Sequence, residues 1–210
     1  NSNAPDLTGM VIVIDPGHQM ETSYEVENVA SWQTSTKKKA TCGTVGKATG
    51  IPEYELTLDI ALITKDYLEQ CGATVILTRY ENDVNISNQE RANIAVSSGA
   101  DLFIRIHADA ANDSYQSGVR VFVPDSGDYV SSSVAWGDIL GNKVSDRIGL
   151  GFIGTKSTSL YTGLNYANSV PSFQISLGLL SNSDDAAVLI DENNQVAISA
   201  AGAEFAYELK

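Results

Sequence analysis

The chain has 210 residues and carries 13 basic against 26 acidic side chains, a formal net charge of −13. That length suits one domain, and so large an acidic excess disfavours binding to nucleic acid or to anionic membrane surfaces. No apolar run is long enough for a membrane-spanning helix. Two cysteines, Cys42 and Cys71, exclude a disulfide scaffold and leave open whether they pair with each other. We expect a monomeric globular protein.

Residues 1–9 are interpreted as a leader, because Ser2, Asn3 and Ala4 resemble the remnant that is left when an expression tag is removed. Residues 10–210 are expected to form the functional domain. A native signal peptide could have preceded this start, so location has to be predicted from function.

Strand and helix patterns alternate along the chain. Residues 10–14 form a β-branched run that predicts a buried central strand, and residues 19–50 form a long polar loop insertion. The loop contains three consecutive lysines, 37–39, which favour a solvated loop face over a contact patch. Pro52 opens a helix with apolar residues at helical spacing, and Gly72 ends it. Further strands are predicted at 73–78, 102–106, 119–123 and 173–177, and further helices at 88–97, 136–148 and 195–209. Strands separated by helices predict a single α/β domain with a mostly parallel sheet covered on both faces.

The only two histidines of the sequence, His18 and His107, each follow an apolar strand closely. Open α/β sheets place ligand sites just beyond the carboxyl ends of their strands, so we expect both imidazoles at the same edge. An acidic residue in the first turn of the next helix, Glu53 or Glu55, could join them. Two histidines and one carboxylate leave a fourth position for water, which is the layout of a catalytic zinc site. The alternative is that each histidine only completes the end of its strand.

Six segments of the chain carry a longer pattern. They are IDPGH (14–18), PEYELTLDIA (52–61), TVILTR (74–79), ADLFIRIHAD (100–109), SGVRVFV (117–123) and VPSFQISLGLLSN (170–182). In this order they resemble the zinc-dependent N-acetylmuramoyl-L-alanine amidases of the Amidase 3 family, over about residues 10–208. The resemblance implies a twisted, mostly parallel sheet of about six strands between helices.

The resemblance also implies roles for individual residues. His18, Glu53 and His107 correspond to the zinc ligands, with Glu55 as the competing choice for the glutamate. The bound Zn²⁺ would activate a water and polarise the amide that joins N-acetylmuramic acid to L-alanine of the peptidoglycan stem peptide. The expected protein is a secreted cell-wall hydrolase (an autolysin) that acts outside the cell, in the wall or the periplasm.

The position of the general base departs from the family pattern. Family members carry a glutamate in P-x-x-x-x-E-x-G-F-x-S-N, and the run from Pro171 to Asn182 places Ser176 there. A serine hydroxyl does not take a proton from water near neutral pH, and losing a positioned general base costs about 10²–10⁴-fold in rate. We favour an engineered substitution over a natural weak or non-catalytic relative that binds peptidoglycan. A zinc hydrolase of another amide or of an acyl-sugar is a third hypothesis.

Substrate contacts are assigned to few residues. Arg105 and Asn165 are candidates for substrate binding, the first through a stem-peptide carboxylate, although an ion pair explains Arg105 equally well. Tyr161 and Tyr166 belong to the same loop as Asn165 and either line the groove or lie on the surface. Arg79 is interpreted as part of a structural ion pair.

Overall fold

The structure is a computed structural model that describes residues 4–210, and within that range it contains eight strands and six helices. The strands are β1 (Val11–Pro16), β2 (Val26–Asn28), β3 (Thr36–Lys38), β4 (Thr74–Leu77), β5 (Leu102–Asp109), β6 (Val119–Pro124), β7 (Phe152–Thr158) and β8 (Ser172–Leu179). The helices are α1 (Glu53–Gln70), α2 (Asn88–Ser97), α3 (Val130–Ile148), α4 (Thr162–Tyr166), α5 (Ser183–Ile190) and α6 (Glu192–Leu209). Every predicted strand and helix is present, whereas β2, β3, β7, α4 and α5 were not predicted.

Six of the strands form one sheet in the spatial order β4-β1-β5-β8-β6-β7. The first four are parallel to one another, β6 runs antiparallel to β8, and β7 is parallel to β6. The predicted single α/β domain with a mostly parallel six-stranded sheet is therefore confirmed. Because β1 and β5 are parallel neighbours, the residues that end them meet at one edge of the sheet.

Helices cover both faces of the sheet, as predicted. On one face α1, α3, α5 and α6 pack against side chains such as Ile12, Ile104 and Phe173. On the other face α2 and the segment around α4 pack against Val13 and Phe103. Successive residues of a strand point to opposite faces, so Asp15, Arg105 and His107 belong to the α2 face.

The segment between β1 and α1 contains a short antiparallel hairpin, β2–β3, in which Glu27 pairs with Lys37. The prediction of a loop without regular structure across 19–50 is therefore wrong at this hairpin. Asn165 holds the hairpin to the domain, because its Nδ2 donates to the carbonyl of Val29 at 2.8 Å. Strands of three mostly polar residues have no apolar alternation that a sequence pattern could detect.

The start of the described chain packs on the domain. Leu7 is fully buried in the larger core cluster, and its amide donates to the carbonyl of Cys71 at 2.8 Å. The leader interpretation of residues 1–9 stays a prediction; Leu7 packs with the domain, and Ser2 and Asn3 of the predicted tag remnant lie outside the described residues. Cys71 is buried, Cys42 is exposed, and both are free thiols. Across residues 4–210, no helix has the length and apolar character needed to cross a membrane.

Candidate metal centre

The three predicted ligands meet at the carboxyl edge of the sheet. His18 follows β1, Glu53 is the first residue of α1, and His107 lies in β5. Oε1 of Glu53 is 3.1 Å from Nε2 of His18 and 3.3 Å from Nδ1 of His107, and the two ring nitrogens are 3.2 Å apart. All three ligand atoms lie within 4.8 Å of one another. This group presents two imidazole nitrogens and one carboxylate oxygen to a common point, and it could hold a metal ion.

Two backbone amides fix the carboxylate of Glu53. The amide of Ala108 donates to Oε1 and that of Thr44 to Oε2, each at 3.0 Å. Burial raises the pKa of Glu53, but hydrogen bonds to His107 and His18 outweigh burial and hold the pKa well below its usual range. Glu53 is therefore an ionised ligand candidate. Glu55 is exposed and lies outside the cluster, so it is not the glutamate that the structure brings to the histidines.

His18 is held in a strained backbone conformation that aims its ring at Glu53. Its φ of 67° lies in the left-handed region that non-glycine residues seldom adopt. Nδ1 of His18 is 2.9 Å from the hydroxyl and 3.1 Å from the carbonyl of Thr41, which leaves Nε2 for the cluster. Gly43 lets this loop approach closely, because a Cβ there would lie 2.6 Å from Oε2 of Glu53. Thr41 and Gly43 were not predicted as site residues.

His107 is buried on the floor of the site, against the backbone of Gly17. A Cβ on Gly17 would lie 2.5 Å from the His107 ring. Burial lowers the pKa of His107 against the opposing effect of Glu53, which favours the neutral imidazole, the form that binds metals. Within residues 4–210, Nε2 of His107 is buried and has no hydrogen-bond partner. A neutral imidazole beside a second imidazole and an ionised carboxylate fits a metal ligand.

Ser176 lies directly beside His107. The two residues are paired in the register between β5 and β8, and Ser176 is fully buried. Its hydroxyl accepts from the amide of Asp109 and donates to the carbonyl of Gly178, both at 3.3 Å. Backbone groups therefore satisfy the hydrogen-bonding capacity of the Ser176 hydroxyl. Serine at this position provides no carboxylate beside the cluster.

Asp15 of the IDPGH segment holds two arginines beneath the cluster. Its Oδ1 pairs with Nη1 of Arg91 at 2.8 Å, and its Oδ2 pairs with Nε of Arg105 at 2.7 Å. Burial raises the pKa of Asp15, but the two guanidinium groups outweigh burial and hold the pKa well below its usual range. Arg105 also donates to Gln174 and Asn88. Arg105 was interpreted either as a contact to a stem-peptide carboxylate or as part of an ion pair. The structure shows the ion pair, with Asp15.

Arg79 braces the loop that carries His18. It is buried and donates to the carbonyls of Pro16, Gly17 and Tyr54 at 2.8–3.1 Å. Burial and the nearby Arg91 lower the pKa of Arg79 to about 10. Within the described part of the chain it has no carboxylate within salt-bridge distance, so the predicted ion pair is wrong.

The three loop residues considered as groove-lining residues have different surroundings in the structure. Asn165 is 2% exposed and donates to the carbonyls of Val29 and Ser159, so it fastens the hairpin instead of lining a groove. Tyr166 packs against the core cluster on the α2 face. Tyr161 does line the cavity beside the histidines.

A cavity of about 390 Å³ opens beside His18 and His107. Its volume falls within the roughly 300–1,000 Å³ of small-ligand sites. Tyr161, Gln174 and Asp109 form part of the wall, together with lysines of β3. The cavity can therefore take a short segment of a ligand up to the candidate metal centre.

The fold and the site together define an α/β protein with a candidate metal centre of two histidines and one glutamate at the carboxyl edge of its sheet. A family model described as N-acetylmuramoyl-L-alanine amidase, Amidase 3, matches residues 12–206. The chain belongs to this family.

Individual relatives agree with the family. The chain is 30% identical over 183 residues to the N-acetylmuramoyl-L-alanine amidase LytC of Bacillus subtilis (strain 168), covering 87% of this chain and 32% of that protein. It is 28% identical over 132 residues to the germination-specific N-acetylmuramoyl-L-alanine amidase of the same organism, covering 55% and 46%. The chain thus spans about a third of the first relative and less than half of the second. The crystal structure of the amidase Ami1 from Mycobacterium smegmatis has the same fold, with a TM-score of 0.84, 24% identity, and 96% of this chain and 98% of that chain covered.

Proposed function

We propose that this chain is the catalytic domain of a zinc amidase that hydrolyses the bond between N-acetylmuramic acid and L-alanine of the peptidoglycan stem peptide. The cluster of His18, Glu53 and His107 beside a cavity, in a member of this family, is the observation that supports it. The substrate implies action outside the cell, in the wall or the periplasm. Because one chain supplies the whole cluster, we propose a monomer.

The donor set supports zinc in particular. Two imidazole nitrogens and one carboxylate oxygen are a ligand set of catalytic zinc sites that keep one position open. Zinc held by these residues would supply Lewis-acid chemistry, polarising the scissile carbonyl and acidifying the attacking water. The chain itself orients the donors, since Thr41 fixes the ring of His18 and the amides of Thr44 and Ala108 fix Glu53.

We further propose that Ser176 impairs turnover in this chain. The proton of the attacking water needs an acceptor beside the centre, and the buried hydroxyl of Ser176 is already occupied by backbone groups. The same observation favours one alternative function, a non-catalytic zinc-containing module that binds peptidoglycan.

Metal analysis and digestion of purified muropeptides test the proposal together. We expect about one zinc per chain and near-background release of stem peptides. Ser176→Glu is expected to raise release by about 10²–10⁴-fold, because it restores a general base beside His107. Ser176→Gln is the matched control, since it has the size of glutamate but takes up no proton, and it should stay at background.

The outcomes separate the two functions. A Ser176→Glu protein that binds zinc and cleaves no muropeptide, while both proteins bind the uncleaved ligand, would favour the binding module. Full activity of the Ser176 protein itself would contradict the proposed impairment.

A further inference from the structure

The cavity beside the candidate metal centre is basic, although the chain as a whole carries a net charge of −13. Its wall contains four basic side chains, Lys37, Lys38, Arg91 and Arg105, against the single acidic side chain of Asp109. The overall field of the protein repels anions, so a local excess of positive charge indicates a negatively charged group of the ligand.

The two arginines are not available for that group. Arg91 and Arg105 share the buried carboxylate of Asp15, at 2.8 and 2.7 Å. Their remaining donors go largely to side chains and carbonyls of the domain, among them Gln174 and the carbonyl of His18. The arginines therefore form the floor of the cavity, and the lysines are the cations that a ligand could pair with.

Lys37 and Lys38 have only neutral partners. The ammonium of Lys37 donates to the carbonyl of Leu160 and lies 5.5 Å from the ring centre of Tyr161. The ammonium of Lys38 lies 5.0 Å from the ring centre of Tyr24. Within residues 4–210, neither has a carboxylate within 4.0 Å. Partial burial without such a partner lowers the pKa of Lys37.

The third lysine of the triplet differs. Lys39 pairs with Glu25 at 2.7 Å and does not line the cavity. The hairpin thus places Lys37 and Lys38 at the wall of the cavity without a carboxylate partner, and it pairs Lys39 with Glu25. Lys37 and Lys38 are exposed, as the interpretation of a solvated loop face predicts, but they also border the cavity.

We propose that Lys37 and Lys38 make the site selective for acidic stem peptides, by pairing with a free carboxylate on the residue that follows L-alanine. This inference rests on the proposed amidase function and names the form of its substrate. Stem peptides carry at that position either D-glutamate, with a free α-carboxylate, or D-isoglutamine, with an amide in its place. A carboxylate gains a charge-assisted hydrogen bond from an ammonium group, and the amide does not.

The dimensions agree with this assignment. Two residues of extended peptide reach at most about 7 Å, so a ligand held at the histidines by its scissile amide would keep its second residue near the cavity. Lys37 and Lys38 border the same cavity, and their long, flexible side chains can reach a ligand that enters it. A neutral carbonyl and ring faces are partners that each ammonium can exchange for a carboxylate at small cost.

Calorimetry on the zinc-loaded protein tests the inference with two defined ligands. These are N-acetylmuramoyl-L-alanyl-D-glutamate and N-acetylmuramoyl-L-alanyl-D-isoglutamine, each with its γ-carboxyl group blocked as the methylamide, so that the two ligands differ only in the α-carboxylate or α-amide. We expect the acid to bind about three- to tenfold more tightly at low salt, and the preference to shrink as salt is added. Lys37→Gln and Lys38→Gln should each weaken binding of the acid and leave that of the amide unchanged, and Lys39→Gln should change neither.

Each outcome decides between distinct conclusions. Equal affinity for the two ligands, or a preference that survives in the Lys37→Gln/Lys38→Gln double variant, overturns the selectivity and leaves the amidase function standing. If neither ligand binds the zinc-loaded protein, the proposed function is contradicted and the selectivity with it.

Discussion

Oε1 of Glu53 lies 3.1 Å from Nε2 of His18, although one residue starts a helix and the other ends the turn after a strand. The contact depends on backbone groups of two further segments, since Glu53 accepts the amides of Thr44 and Ala108. These two amides fix the position of the carboxylate. A donor that is already oriented loses little freedom on binding, which favours tight coordination.

Substituting each of the two glutamates in the first turn of α1 should show which of them is a metal ligand. Glu53→Gln removes the anionic oxygen of the cluster, and we expect it to weaken zinc binding by at least about 10²-fold. Glu55→Gln should leave zinc affinity unchanged, because Glu55 is exposed and outside the cluster. Competition with a chromogenic chelator measures both. Loss of zinc from Glu55→Gln with retention in Glu53→Gln would reverse the ligand assignment.

Gly17 should be intolerant of a side chain. A Cβ there would lie 2.5 Å from the ring of His107, so Gly17→Ala must displace that ring. We expect a loss of about 1–3 kcal/mol of unfolding free energy from the steric conflict, together with weaker zinc binding. Gly202→Ala in α6 is the control, since its Cβ meets nothing within 4 Å and alanine favours a helix by about 1 kcal/mol. Urea titration and the chelator assay give the two readouts, and unchanged zinc affinity in Gly17→Ala would contradict the close contact.

Asp15 should make stability depend on acid pH. Its pKa is well below the usual value in the folded state, so its contribution is fully present above about pH 4 and is lost as pH falls below that, when the unfolded chain takes up the proton. Asp15→Asn leaves Arg91 and Arg105 without their carboxylate, and we expect it to cost about 3–5 kcal/mol at pH 7.

The difference between wild type and Asp15→Asn should therefore narrow as pH is lowered from 5 towards 2. Urea unfolding monitored by circular dichroism at each pH measures it. Asp146→Asn, at an exposed position of α3, should change stability by less than about 0.5 kcal/mol. A pH-independent cost for Asp15→Asn would show that its charge does not stabilise the fold.

The strongly patterned parts of the fold were predictable. β1 and β5 are apolar runs buried on both faces, and α1 has a proline start and helical spacing. β7 was missed because this edge strand mixes polar residues with Gly154, whose φ is 130°. α5 was missed because a helix of eight residues gives only about two turns of apolar spacing, which is too little pattern to predict it.

The site, like the fold, was only partly predictable from the sequence. Ligand sites of open α/β sheets lie at strand ends, and this rule predicted that His18 and His107 share one edge. In the structure Glu53 lies beside them. Thr41 and Lys37 were not assigned to the site, since their positions depend on how the segment between β1 and α1 folds back over the edge. The role of Ser176 stays a prediction, although the structure places it beside His107.

The side chain of Asn165 should stabilise the hairpin that carries Lys37 and Lys38. Its buried amide donates to the carbonyls of Val29 and Ser159, so Asn165→Ala leaves both without this donor. We expect a loss of about 1–3 kcal/mol of unfolding free energy and faster hydrogen exchange in β2 and β3. Asn142→Ala is the matched control, because the amide of Asn142 donates to one carbonyl on the exposed face of α3. If exchange in the hairpin is equal in the two variants, Asn165 does not fasten it, and the hydrogen bonds from Asn88 and Gln89 of α2 to the carbonyls of Lys39 and Asn28 hold it instead.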